Sequence, residues 1–178
     1  MRKRLFFWEL WGFLFTGAAG ALLHFVYEWS GGSVLTAAFS AVNESTWEHM
    51  KLLFFPMFLL SVVQVCALGK TYPNLLAARA VSTLAGLALI PVLFYTYTGV
   101  LGFHVMWADV AVFFLADLGA FALDFRLLRR GRFSQPWQQV LGLVALWALA
   151  FWFVWCTFRP CALALWRDPV TGRFGIPA

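Results

Sequence analysis

With 62% hydrophobic residues over 178 positions, twenty Phe and ten Trp, and a mean hydropathy of +0.79, the chain carries more apolar surface than one globular core of this size can hide. That excludes a soluble globule and places the chain in a bilayer. The formal charge of +5 does not point to nucleic acid, because the basic residues sit at the ends of apolar runs rather than on a patch interleaved with aromatics.

A bilayer core takes about 20 helical residues, and five runs near that length occur in order. The first covers residues 6–29, apolar except for Glu9 near its start and His24 and Glu28 near its end, and Gly31-Gly32 breaks it. It is too long for a signal-peptide core and has no small-residue cleavage pattern followed by a soluble chain, so it reads as a retained span. Its Gly17, Ala18, Gly20 and Ala21 offer a small-residue face for close helix packing. Residues 33–42 are apolar but too short to cross, which predicts a re-entrant or interfacial segment.

The second span, 46–68, opens on a capping-box pattern, Ser45 with Glu48 three places on, and Gly69 closes it. The third, 75–98, follows Pro73-Asn74; the fourth, 104–128, ends in basic residues; the fifth, 137–158, lies between Pro136 and Pro160. The tail CALALWRDPVTGRFGIPA has turn chemistry at its centre and enough apolar side chains to fold back over the polar end of the bundle. No repeat or linker divides the chain, so 1–178 is expected to form one transmembrane domain, an all-α integral membrane bundle of five helices.

Orientation follows from where Lys and Arg fall. A cytoplasmic N-terminus puts Arg2, Lys3, Arg4, Lys70, Arg79, Arg126, Arg129, Arg130 and Arg132 inside, and leaves only Lys51, Arg159, Arg167 and Arg173 outside. The N-terminus is therefore expected in and the C-terminus out.

On this topology all three histidines and most acids gather in the outer half. His24 and Glu28 end the first span, Glu44, Glu48 and His49 stand at the start of the second, and His104 and Asp109 at the start of the fourth. An ionised group in hydrocarbon costs roughly 2.5 to 3.5 kcal/mol on insertion scales, so these side chains are expected to face one another around a pocket open to the exterior. His24, Glu28, His49, His104 and Asp109 are the ligand types of zinc or another divalent metal. Glu44 or Glu48 would then be the general base that activates water. The alternative is a metal-free hydrogen-bonded network in which Glu48 merely completes the cap, Glu44 is solvated and His49 reaches for the headgroups.

The fourth span also carries Asp109, Asp117 and Asp124, which fall within roughly 80° of one another around a helix. Asp117 lies near mid-bilayer, where a carboxylate relays protons, binds a cation or donates a structural hydrogen bond. Asp124 is explained by Arg126 and Arg129. Glu9 and Arg79 share a depth on two spans and are expected to pair. Cys66, Cys156 and Cys161 show neither CxxC nor metal-ligand spacing, and Cys156 and Cys161 read as two thiols in preference to a bridge.

The elements FFWELWGF, LHFVYEWSGG, FSAVNESTWEHMKLLFFP and RDPVTGRFGI resemble a family of small multi-pass bacterial membrane proteins catalogued only as a domain of unknown function. The resemblance covers most of the chain. It implies a multi-pass protein of the bacterial cytoplasmic membrane in which the outer cluster is a family feature, and it implies no activity. By its mix of embedded His, Asp and Glu the chain is also loosely similar to zinc-dependent ceramidase-type intramembrane hydrolases, none of whose motifs occurs here in order.

Three functions are compatible with these residues. The first is a metal-dependent hydrolase cleaving a lipid or lipid-linked bond at the outer leaflet. The second is a carrier or substrate-binding subunit for a cation or small polar solute, with Asp117 coupling protons and a homo-oligomer or transport partner supplying the missing inverted repeat. The third is a pH sensor or assembly factor. Membrane lipids are expected partners in every case. GxSxG, HExxH, GxGxxG and P-loop signatures are absent.

Overall fold

In the computed structural model, which describes residues 2–176, the long apolar runs are helices: α1 Arg2–Trp29, α3 Thr46–Leu68, α4 Leu75–Leu101, α5 Met106–Arg130 and α6 Pro136–Phe158. All five are long and apolar enough to cross a membrane. A four-residue helix α2, Val34–Ala37, lies between α1 and α3, and a single 3-10 turn, Ala164–Trp166, follows α6. Among the described residues there is no strand, only an isolated bridge between Arg167 and Phe174.

Helix boundaries follow local chemistry. The Ser45 hydroxyl accepts the Glu48 N–H at 3.3 Å and starts α3. Only half of the expected capping box forms, because the Glu48 carboxylate accepts the Val42 N–H at 3.1 Å instead of returning to Ser45. Gln135 and Gln138 make the reciprocal box at the start of α6, with Pro136 in its first turn. Glycines in the left-handed region end α4 and α5, Gly102 at φ 79 and Gly131 at φ 59. Since α5 begins at Met106, His104 lies in the α4–α5 connection rather than on a span.

Helices α1, α3, α4 and α5 form a ring in which α1 and α4 each pack between α3 and α5, and α6 lies against α4 and α3. Outward-facing Phe7, Trp11, Leu59, Val92, Leu141, Trp147 and Phe151 are exposed, an apolar belt that fits lipid contact and not water. Small residues let the helices close up. A β-carbon at Gly20 would stand 2.7 Å from the Leu52 carbonyl oxygen, and one at Gly142 would stand 2.7 to 2.8 Å from the backbone at Leu76 and Ala77. The packing face of α1 is Gly12, Thr16, Gly17 and Gly20, all buried. Ala18 and Ala21 are exposed and take no part in it.

Inside the ring, at the end holding the N-terminus, sits a closed polar cluster. Arg79, with no exposed surface, reaches Asp124 at 3.0 Å and Glu9 at 3.6 Å. It also donates to Gln64, and its guanidinium lies 5.0 Å from the Phe121 ring centre. Asp124 thus pairs across helices rather than with Arg126 and Arg129. Both of those arginines are exposed, whereas Asp124 is on the buried face and also accepts from Ser82 at 3.1 Å.

Residues 33–42 dip beside the first turns of α3: Phe39 meets Phe55 edge-on at 5.1 Å, and Ala37, Ala38, Ser40, Ala41 and Val42 are buried. The tail returns to this end too. Trp166 stacks on Trp47 at 4.4 Å, and Asp168 accepts from the Val170 N–H and the Thr171 hydroxyl to fix a turn. All three cysteines are free.

Candidate metal centre

The site is built where α1 ends and α3 begins. Three local features place its carboxylate. The Asn43 side chain accepts the Ser45 N–H at 2.9 Å and donates to the Gly175 carbonyl at 2.8 Å. Ser45 is held as the N-cap of α3. Glu44, between them, is therefore carried on a short connection anchored to the tail on one side and to a helix start on the other.

His49 lies one turn into α3, and its Nδ1 stands 3.0 Å from the Ser45 carbonyl. A carbonyl only accepts, so Nδ1 carries the proton and Nε2 keeps its lone pair. That Nε2 points at Glu44, 3.6 Å from its Oε2, and His24 Nε2 approaches the same oxygen from α1 at 3.7 Å. The two imidazoles meet edge-on with ring centres 5.2 Å apart. One ligand atom from each of His24, Glu44 and His49 lies within 4.8 Å of the others. A tetrahedral zinc with ligands at about 2.0–2.2 Å sets its donor atoms roughly 3.4 Å apart, so a small side-chain adjustment closes this group on an ion. The Glu44 carboxyl is held below its ordinary range, first by its hydrogen bond to the His24 imidazole, which outweighs the opposing effect of partial burial, with smaller help from the nearby histidines.

The other sequence candidates stand elsewhere. Glu28 is exposed and outside the group. His104 pairs with Asp109 at 3.3 Å, while the second Asp109 oxygen accepts from Tyr97, whose own oxygen accepts the Val105 N–H at 3.2 Å. With both its oxygens engaged there, Asp109 is a neighbour of the group and not a member. Glu48, expected beside the histidines, is one residue round the helix and buried, 2.6 Å from Lys51 Nζ. Lys51, counted on the outer side of the membrane, is wholly buried and also donates to the Ala37 carbonyl and the Thr157 hydroxyl, both at 2.9 Å. Glu48 is thus a structural partner that ties residues 33–42, α3 and α6 together. Asp117 lies deep in α5, away from this end.

Sequence reasoning passed over Asn43 and Tyr97. Asn43 had a local signal, an Asx residue two places before an N-cap serine; Tyr97 had none, since its role depends on how α4 meets α5. A family model described as Family of unknown function (DUF6512) matches residues 3–176. The chain belongs to this family. Among curated proteins and among solved structures no match is found. The family carries no stated activity, so the chemistry of the site rests on its own geometry.

Proposed function

We propose that His24, Glu44 and His49 bind one divalent transition metal, zinc foremost, and that the chain is a metal-dependent hydrolase of a lipid or lipid-linked substrate at the outer membrane surface. The observation that carries this reading is the convergence of the three ligand atoms within 4.8 Å. Two imidazoles and one carboxylate are the donor set of catalytic rather than structural zinc, which keeps a position for water and acidifies it. Glu44, with 49% of its side chain exposed, leaves that position open to solvent. Glu44 serves here as a ligand and Glu48 is committed to Lys51, so proton transfer falls to a neighbouring carboxylate, and Asp109, held by His104 and Tyr97, is the one fixed in place.

A lipid substrate is favoured by what adjoins His24. Its ring packs on Phe25 at 5.1 Å, and Phe25 stacks on Trp29 at 5.7 Å. Both aromatics are exposed, so an apolar surface leads from the lipid to the metal group. The positive-inside bias supports an outward-facing position for this end, and the resemblance of the chain to small bacterial membrane proteins supports the bacterial cytoplasmic membrane.

The test is turnover of phospholipid, sphingolipid and lipid-linked saccharide substrates by purified protein in mixed micelles. The proposal requires hydrolysis that a chelator abolishes and zinc restores, and that Glu44→Ala lacks. Hydrolysis unaffected by prolonged chelation, or none across the panel with a loaded metal, counts against it.

A further inference from the structure

Asp117, in the middle of α5, has no exposed surface, and neither of its carboxylate oxygens has a hydrogen-bond partner. It lies against Gly17 of α1, where a β-carbon would stand 3.7 Å from its Oδ2. The hydroxyls of Thr16 on α1 and Thr83 on α4, the helices enclosing this interior, are likewise wholly buried and unpartnered. Buried polar groups are nearly always satisfied, and one that is not points to a function or to a missing ion or water.

The charges around it give the missing partner a sign. About two turns along α5, Asp124 shares Arg79 with Glu9 of α1. The buried polar residues in this part of α3, Ser61 and Gln64, are neutral: Ser61 donates to the Met57 carbonyl, and Gln64 bonds to Glu9 and Arg79. Three buried carboxylates therefore stand against one guanidinium, and the two nearest it take its direct contacts. A desolvated carboxylate with no hydrogen-bond donor, sharing the charge of one arginine with two nearer carboxylates, is among the most costly groups a protein interior can hold.

We propose that Asp117 is the seat of an exchangeable monovalent cation, an alkali ion or a proton, held inside the ring of α1, α3, α4 and α5. The unpartnered Asp117 carboxylate and the unpartnered Thr16 and Thr83 hydroxyls are all oxygen donors, which suit a hard ion. This site shares no residue with the histidine group and goes beyond the hydrolase reading. Ionisable groups at such depth are kept for ion or proton pathways.

The experiment uses the full chain in detergent micelles. Unfolding temperature is measured in sodium chloride against choline chloride at matched ionic strength, and over a pH series, for wild type and Asp117→Asn. An alkali ion raises the wild-type Tm in sodium over choline, with saturable binding of radiolabelled sodium that Asp117→Asn loses. A proton appears as a carboxylic-acid infrared band missing from Asp117→Asn, with sodium inert. Either result supports the site, and both persist in the His24→Ala, His49→Ala double variant, so failure of the metal proposal leaves them untouched. Sodium and pH responses that run parallel in wild type and Asp117→Asn, with no infrared band separating them, overturn it. Should Asp117→Asn not fold, Thr16→Val serves: weaker sodium binding or a shifted acid band supports the site, and no change in either overturns it.

Discussion

Arg79 of α4 and Asp124 of α5 meet at 3.0 Å with no exposed surface on either side chain. Glu9 of α1 and Gln64 of α3 close on the same guanidinium, so one arginine joins all four helices of the ring. Such a group gives little net stability over an apolar core, but removing a single partner strands the others. Arg79→Met is expected to destabilise by about 3–5 kcal/mol, measured by thermal or denaturant unfolding in micelles. Glu9→Gln, which leaves the stronger Asp124 contact intact, should lose much less.

The Glu48–Lys51 pair makes the same point at the opposite end. Lys51→Met leaves the Glu48 carboxylate buried with only the Val42 N–H as a partner, and a loss of about 3–5 kcal/mol is expected. The double variant Lys51→Met, Glu48→Gln should recover a large part of that loss. A double-mutant cycle on unfolding free energy reads the coupling directly; additive losses would mean the pair is not a unit.

Helix packing gives a contrast between two glycines. Gly142 faces the α4 backbone with no room for a β-carbon, and backbone atoms cannot swing aside, whereas Gly99 has nothing within 4 Å. Gly142→Ala should cost about 1–3 kcal/mol by overpacking. Gly99→Ala, in a helix, should stabilise by roughly 0.5–1 kcal/mol. Unfolding temperatures of the two variants check both signs at once.

The Glu44 carboxyl has a defined pH signature. Its folded value lies below the ordinary 4.5, so its contribution is fully present above 4.5 and is lost as the pH falls through the lower folded value. A carboxyl-carbon NMR titration of selectively labelled protein should give a midpoint under 4.5, moving back toward it in His24→Ala. Metal affinity should fall earlier, as pH drops through the imidazole range near about 6.5, because protons compete for Nε2.

The spans could be read directly because length and apolarity are properties of each run alone. The Glu9–Arg79 contact could be read as well, since matching depth on two helices is enough to bring long side chains together. Rotation about each helix axis was not readable. It decided that Glu48 turns inward to Lys51 while His49, one residue on, turns to His24, and that Asp124 faces Arg79 in preference to its own neighbours. The gathering of His24 and His49 follows from depth, whereas the ligand role of Glu44 depends on a connection held by Asn43 and the tail, a contact spanning 132 positions in sequence. His104 and Asp109 were expected in the same group, and the start of α5 at Met106 sets them to one side with Tyr97.

The most direct test of the metal centre is zinc titration of chelator-stripped protein, followed by calorimetry with elemental analysis of the washed product. Saturation is expected at one ion per chain, with affinity falling at least about tenfold when a single ligand is lost in His24→Ala, Glu44→Ala or His49→Ala. In His104→Ala, which removes a residue outside the ligand set, the same saturation should remain. No uptake by the wild type, or equal uptake by a variant lacking all three ligands, would contradict it.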